Sequence, residues 1–305
     1  MSGRLAGKPG PSAGFISGKF RPPRRRQQTG EATMLRRSLV TLAFAFLLAP
    51  PTLAQQLQRQ IPAPAPAPGK VKLEWLGHEF YRFTSPNGVV VVTSPWLGNP
   101  DGPVPKESLA RTDFILVPNA HNDDMGNPEE VHLVSGAMVL APGPLGRWLI
   151  AEKGLKQESF RRAGIGDLFE QKGVKFRFPP SHHDNTLPNG ADGGPAAAFL
   201  IFFENGITVF YNGHSSLVSD LALYAQIYQP DVVILGITNS AQEFAQVAKL
   251  LSTNNPKLKQ VIPSHQRPNA PVLEEGKKAL EAVGLGDKWF LPELRRAYEY
   301  EGMKP

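Results

Sequence analysis

The residues best suited to chemistry in this 305-residue chain follow an apolar run at residues 114–117. His121, Asp123 and Asp124 come directly after that run, and Gly126 closes the segment. One imidazole and two carboxylates offer nitrogen and hard oxygen donors, a combination that suits a divalent transition metal. Asp123 and Asp124 are also the candidates for catalytic proton transfer. The alternative interpretation of this segment by itself is a solvated loop after a strand.

The other histidines repeat this placement. The chain has seven histidines, and the six that come just after apolar runs are His78, His121, His182, His183, His214 and His265. Strands of α/β proteins present ligands at their carboxyl ends, so four strand ends that each deliver a histidine predict a shared cavity for one or two metal ions. The predicted ligands are His121, Asp123, Asp124, His183, His214 and His265.

Two histidine positions need separate treatment. His132 lies inside a predicted helix and is expected to be an ordinary, partly buried side chain. His182 and His183 are neighbours after a predicted strand. Neighbouring side chains on an extended chain point in opposite directions, so only one of these two can face the cavity.

Composition excludes several classes of site. The chain has no cysteine, which excludes thiolate metal sites, cysteine nucleophiles and disulfides. Residues 1–69 carry a formal charge of +9 and the whole chain +6, so residues 70–305 carry −3. The folded part is therefore mildly acidic, and we expect no nucleic-acid partner.

The N-terminal region is typical of an exported protein. The composition of residues 1–33 predicts a disordered basic prefix. If translation starts at Met34, the mature protein lacks this prefix. Residues 34–54 carry two arginines, a short apolar run and small residues at the end, which is the layout of a signal peptide. Residues 55–69 form a Pro/Ala-rich linker, and the predicted domain is 70–305. The expected location is periplasmic or secreted, with no stable membrane span after cleavage.

The predicted elements place the histidines at one edge. Strands are predicted at 113–117, 174–178, 207–211 and 260–262 and helices at 157–163, 241–252 and 273–283. Early strands, then strand–helix alternation around a central hairpin, predict an α/β fold in which helices flank two mixed sheets.

Six short motifs then resemble one family. They fall in the order and spacing of the metallo-β-lactamase-fold hydrolases, in the branch of the ascorbate-6-phosphate lactonase-like proteins and N-acyl-phosphatidylethanolamine phospholipase D. The motifs are Trp75-Leu-Gly-His78, Ser94-Pro-Trp-Leu97, the segment from Val117 to Gly126, Pro180-Ser-His-His183, Tyr211-Asn-Gly-His214 and Ile262-Pro-Ser-His265. The resemblance covers residues 71–265 and implies an αββα sandwich.

The resemblance also implies a ligand set, which this chain alters. His121, Asp123, His183 and His265 keep the family's residues. Asn119 and Asp124 stand where the family has histidines, and His214 and Ser94 stand where it has aspartates. An imidazole cannot bridge two ions as a carboxylate does, so one ion is expected rather than two. Zinc is the expected ion, with manganese or iron as alternatives, and the expected supporting positions are Asn119, His78, His182 and Ser94.

The family likeness implies an exported metal-dependent hydrolase. The expected reaction is cleavage of an ester, lactone or phosphodiester bond in a small molecule by a metal-activated water, with Asp123 or Asp124 as the catalytic carboxylate. The alternative is a non-catalytic, ligand-binding relative with a degenerate metal site, in which the loop 184–195 gates the pocket. The oligomeric state stays open.

Overall fold

The computed structural model describes residues 69–238 and 240–302. The predicted prefix, signal peptide and all but the last residue of the linker lie outside the described residues. The first strand begins at Lys70, directly after the predicted linker.

The described chain contains fifteen strands. In chain order they are β1 Lys70–Gly77, β2 Phe80–Thr84, β3 Val90–Thr93, β4 Phe114–Leu116, β5 Met138–Ala141, β6 Phe160–Arg162, β7 Leu168–Gln171, β8 Val174–Arg177, β9 Pro180–Ser181, β10 Ala196–Ala197, β11 Phe199–Phe202, β12 Thr208–Tyr211, β13 Val232–Gly236, β14 Gln260–Ser264 and β15 Ala297–Glu301. The α-helices of the described residues are α1 Asn122–Met125, α2 Pro128–Ser135, α3 Gly143–Lys153, α4 Asp220–Tyr228, α5 Ala241–Ser252 and α6 Pro271–Ala282. Short 3₁₀ turns lie at Lys106–Leu109, Gln157–Ser159 and Gly286–Lys288.

The strands form two large mixed sheets. The first has the order β15-β1-β2-β3-β4-β5-β6, and the second has the order β14-β13-β12-β11-β8-β7. β9 and β10 make a separate two-stranded ladder. Helices cover the outer faces, so the predicted sandwich of two mixed sheets flanked by helices is confirmed.

Strand β4 shows why both faces of the first sheet are buried. Phe114 and Leu116 pack between the two sheets, while Ile115 and Val117 pack on the outer face. Successive side chains of a strand alternate between faces, and a strand buried on both faces is a continuous apolar run. Burial of each such side chain stabilises the fold by about 1.5–3 kcal/mol.

The helices bury apolar stripes against the outer faces. α5 is the clearest case, because Phe244, Val247 and Leu251 lie on its buried side. The Ser240 side chain accepts a hydrogen bond from the Glu243 amide at 2.9 Å and so satisfies one free donor at the helix start. α4 and α6 pack on the same sheet, and α2 and α3 cover the other sheet.

One predicted helix is wrong. Residues 157–163, predicted as helical, contain a 3₁₀ turn and the strand β6. Phe160 of β6 pairs in parallel with Val139 of β5, and this distant pairing overrides the local preference. The edge strands β7 and β15 were not predicted either.

Parallel pairing gathers the candidate site. β3, β4, β5 and β6 run parallel in the first sheet, and β12, β13 and β14 run parallel in the second. Their carboxyl ends therefore lie along one edge of each sheet, where the loops after β4, β12 and β14 meet. Across residues 69–238 and 240–302, no helix is both long and apolar enough to span a membrane.

Candidate metal centre

The loop after β4 is a single helical turn, α1, and not an irregular loop. His121 stands at its N-terminal cap position, and the amide of Asp124 donates to the His121 carbonyl at 3.0 Å. The turn sends the two carboxylates in different directions. Asp124 is buried, with 1% of its side chain exposed, whereas the Asp123 side chain is 35% exposed.

His121, Asp124 and His183 form the first group of donors. Their nearest nitrogen and oxygen atoms all lie within 4.8 Å of one another. His183 Nε2 is 3.2 Å from His121 Nδ1, and His121 Nδ1 is 3.9 Å from Asp124 Oδ2. Two imidazoles and one carboxylate are a ligand set of catalytic zinc sites and of non-haem iron sites.

His78, Asp123 and His265 form a second group within the same 4.8 Å limit. Asp123 Oδ2 lies 3.3 Å from His78 Nε2 and 3.2 Å from His265 Nε2. His78, predicted as a supporting residue, therefore lies close enough to Asp123 for both side chains to bind the same ion. This group again offers two imidazoles and one carboxylate.

Asp124 and His214 connect the two groups. Asp124, His214 and His265 make a third set of donors within 4.8 Å. Asp124 Oδ2 is 3.4 Å from His214 Nδ1, and Asp124 Oδ1 is 3.6 Å from His265 Nε2. The rings of His214 and His265 have centroids 3.6 Å apart. The structure thus brings all six sequence-predicted ligands into one continuous cluster.

Asn119 orients the central carboxylate. Its Nδ2 donates to Asp124 Oδ2 at 3.0 Å, and its Oδ1 accepts from the His121 amide at 2.9 Å. The side chain is fully buried. Asn119, a predicted supporting residue, thus hydrogen-bonds both the Asp124 carboxylate and the backbone of the ligand loop.

The donor atoms fit a divalent transition metal. Among the described residues, His78 Nδ1, Asp124 Oδ1 and both ring nitrogens of His214 are buried without a hydrogen-bond partner. Leaving a buried polar atom without a partner costs about 1–3 kcal/mol, so such atoms gathered at one place call for a ligand. Nitrogen and carboxylate donors without thiolates suit zinc, manganese or iron.

Two of the imidazoles, those of His78 and His183, have the protonation state that a metal requires. Burial and the neighbouring His265 lower the pKa of His78 to about 4. Burial and the neighbouring His214 lower the pKa of His183 to about 4. Both rings are therefore neutral at pH 7, with a lone pair free for coordination.

The two carboxylates are ionised because the neighbouring imidazoles lower their pKa values. Contact with His265 holds the pKa of Asp123 well below its usual range. Burial raises the pKa of Asp124, but the close approach of His214 and His265 outweighs burial, so this pKa lies below its ordinary value. Burial lowers the pKa of His214, yet Asp124 and Glu79 bring it above its ordinary value. The cluster therefore holds two negative charges among its imidazoles.

The backbone at the cluster is strained. φ is 57° at His78, 74° at His214 and 62° at His265, in the left-handed region that non-glycine residues rarely adopt. Each such residue costs about 1–3 kcal/mol and persists where the surrounding structure holds it. Three strained histidines at one cluster indicate a functional site.

Two of the predicted supporting residues lie further out. Ser94 Oγ shares a hydrogen bond of 2.8 Å with the hydroxyl of the buried Tyr211, so it pairs with that tyrosine and not with a donor atom of the cluster. His182 is exposed, while His183 faces the cluster, because the two neighbours point in opposite directions. The exposed position does not match the supporting role that the sequence predicted for His182.

The loop 184–195 is pinned to the ligand loop. The buried Asn185 accepts a hydrogen bond from the Ala120 amide at 2.8 Å. Its Nδ2 donates to the carbonyls of Gly193 and Gly194, each at 2.9 Å. These bonds tie both ends of the loop to the cluster, and a freely opening gate does not agree with them.

The sequence reasoning did not identify Glu79 and Gly236. Glu79 is buried and lies 4.0 Å from His214 Nε2. Gly236 leaves the space that the His214 ring occupies, because a Cβ there would lie 2.0 Å from His214 Cδ2. The one local signal was a glutamate between a histidine and the apolar start of β2.

Comparisons with known proteins agree with the geometry. Residues 72–265 match the family model described as the beta-lactamase superfamily domain. A UPF0173 metal-dependent hydrolase of Cupriavidus taiwanensis is 31% identical over 254 residues, which cover 77% of this chain and 87% of the relative. One of Cupriavidus necator is 28% identical over 273 residues, which cover 83% and 94%.

A solved structure shares the fold. The metallo hydrolase Igni18 of Ignicoccus hospitalis superimposes with a TM-score of 0.64 at 23% identity. The match covers 77% of this chain and all of that chain.

Proposed function

The chain belongs to the beta-lactamase superfamily domain family, and from that membership we propose that it is a metal-dependent hydrolase of a small-molecule ester, lactone or phosphodiester. The observation that carries the proposal is the pair of donor groups, each with two imidazoles and one carboxylate within 4.8 Å. Catalytic metal sites keep three protein ligands and leave a position open for water or substrate.

We assign one tightly held zinc ion to His121, Asp124 and His183, with His214 Nδ1, which lies 3.4 Å from Asp124 Oδ2, as a further donor. Asp124 is buried and ionised, and His183 is neutral at pH 7, so this group is ready to coordinate. His78, Asp123 and His265 offer a weaker second position, because Asp123 is more exposed to solvent. When bound, a divalent ion lowers the pKa of water and polarises the bond to be cleaved.

The two catalytic candidates then divide their roles by burial. Asp124 is 1% exposed and holds the ion, whereas Asp123 is 35% exposed and is the carboxylate that solvent can reach. Asp123 Oδ2 also lies within 3.3 Å of His78 Nε2, which orients it. Asp123 therefore takes up the proton that the attacking water loses.

A surface groove adjoins the first donor group. It has a volume of about 550 Å³ and is lined by His183, Asp184, Pro195 and Ser216, among other residues. A volume in this range accommodates a small organic molecule. The bond to be cleaved would lie at His183, with the rest of the substrate along the groove.

The location follows from the N-terminal region. A signal peptide at 34–54 would deliver the domain to the periplasm or the medium. N-terminal sequencing of the native protein tests this, with a new terminus directly after Ala54 as the expected result. A mature protein that retains residues 34–54 would contradict export by cleavage.

Hydrolysis of model substrates tests the activity. We expect turnover of a p-nitrophenyl ester, a lactone or bis-p-nitrophenyl phosphate that disappears on chelation and returns with zinc or manganese. Asp123→Asn should lower kcat by about 10²–10⁴ with zinc still bound, and His132→Ala serves as the control. Bound metal without turnover of any of the three substrates would support the alternative of a non-catalytic binding relative.

A further inference from the structure

Glu79 is a buried glutamate beside the His214 ring. It lies directly before β2 and is 1% exposed. Within the described residues, neither of its side-chain oxygens makes a hydrogen bond. Its Oε1 lies 4.0 Å from Nε2 of His214. Buried carboxylates are normally paired or hydrogen-bonded, so this one needs an explanation.

The two nitrogens of His214 face different carboxylates. Nδ1 lies 3.4 Å from Asp124 Oδ2, on the side of the donor cluster, and Nε2 faces Glu79. A neutral imidazole carries one proton and one lone pair. If the lone pair on Nδ1 is to serve the cluster, the proton must be on Nε2, where Glu79 is the acceptor.

We propose that Glu79 is a positioning residue for the metal centre, which accepts the Nε2 proton of His214 and so fixes the ring with Nδ1 directed at the ion. This inference rests on the metal site of the proposed function. Metal-binding histidines commonly donate their second ring proton to a carboxylate, which fixes the tautomer and makes the ligand more basic. The present separation of 4.0 Å is about 1 Å longer than a hydrogen bond, so the bond requires the two side chains to move closer together.

The surroundings make this the available role for Glu79. The donor groups found among the described residues include Asp123 and Asp124 but not Glu79. Gly236 and the His265 ring, tilted by 54° against the His214 ring, confine the His214 ring from its sides. The ring is therefore held in place, and the carboxylate determines which nitrogen carries the proton.

The first test needs no substitution. Long-range ¹H–¹⁵N correlation spectra of the metal-free full chain, recorded at alkaline pH where the His214 ring carries a single proton, report the tautomer of each histidine, and His214→Asn assigns the signal. We expect the Nε2–H tautomer at His214. A proton on Nδ1 would overturn the inference, whether or not any variant folds.

The second test measures zinc affinity by competition with a chelator. Glu79→Gln should bind zinc about 10–100-fold more weakly than wild type. Glu204→Gln is the matched control, because Glu204 is also buried and bonds Ser85 Oγ at 2.9 Å. We expect the control to stay within about twofold of wild type, and equal losses in both variants would reduce Glu79 to a structural residue.

A double-mutant comparison shows whether Glu79 acts through His214. In a His214→Asn background, Glu79→Gln should weaken zinc binding by less than about twofold, because the interaction is already lost. A full additional loss would make Glu79 a direct ligand and overturn the positioning role. Wild-type protein that binds no zinc would defeat the proposed function, while the tautomer at His214 would still decide the Glu79–His214 contact.

Discussion

Gly236→Ala is the substitution whose effect follows most directly from the packing around His214. A Cβ at this position would lie 2.0 Å from His214 Cδ2 and 2.5 Å from Nε2. Non-bonded carbon atoms prefer separations of about 3.5–4.0 Å, so the ring would have to move by about 1.5 Å. Such a shift would remove the approach between His214 Nδ1 and Asp124 Oδ2 at 3.4 Å.

The cost of that clash is set by the lack of room around the ring. The His214 side chain is 4% exposed, with Glu79 on one side and the His265 ring at 3.6 Å on another. Overpacking a close-packed site costs about 1–3 kcal/mol. For a domain of this size each kcal/mol lowers Tm by about 2–4 °C, so we expect a drop of about 2–12 °C. Zinc affinity should fall at least about 10-fold, because a donor is displaced.

Calorimetry of metal-free protein and chelator competition measure the two effects. Gly98→Ala is the control, because a Cβ there has no neighbour within 4 Å and the residue is exposed. We expect the control to change Tm by no more than about 2–4 °C. If Gly236→Ala behaves like the control in both measurements, the described position of the His214 ring is incorrect.

Three further predictions follow from the same geometry. Asp124→Asn should weaken zinc affinity at least about 10-fold in a chelator competition, whereas Asp287→Asn, exposed and outside the donor groups, should change it little; equal effects would contradict a central role for Asp124. The pKa of His183 is lowered to about 4, so the unfolded state binds more protons than the folded state between pH 6.5 and 4, and stability falls as pH falls through that window. Denaturant unfolding of metal-free His183→Gln should therefore depend less on pH there than unfolding of wild type, and an unchanged slope would count against the assignment. Asn185→Ala removes three hydrogen bonds, two of them buried, and should cost about 2–3 kcal/mol in denaturant unfolding, against less than about 0.5 kcal/mol for the exposed Asn189→Ala.

Local patterns were sufficient for much of the fold. The apolar run at 114–117 predicts a strand. In the structure both faces of β4 are buried, so both faces carry apolar residues. The helix at 241–252 matches α5, whose Ser240 cap and buried stripe are encoded within one segment. Where the neighbours along the chain determine the structure, the sequence is informative.

Edge strands were harder to predict, since their partners are distant in sequence. β6 was predicted as helical, and only its parallel pairing with β5 makes it a strand. β15 closes the first sheet by pairing Tyr300 with Val71, more than two hundred residues away. No local periodicity encodes such a contact.

The candidate site shows the same division. The histidines can be predicted as ligands from the sequence because strand ends present ligands, and the structure brings the predicted residues together. The position of Glu79 beside His214 could not be predicted. The two residues lie next to strands of different sheets and meet only when the sheets pack together. His78 was underrated for a similar reason, since its partner Asp123 belongs to another strand's loop.

Elemental analysis of protein purified without chelator tests the central claim, that this cluster binds a metal ion. We expect about one equivalent of zinc in wild type, a partial second equivalent at high zinc, and a large loss in His121→Ala. His132→Ala should retain the wild-type content, because its ring bonds the Ala137 carbonyl at 2.8 Å within its own helix region. No bound transition metal in wild type, or equal losses in the two variants, would contradict the claim.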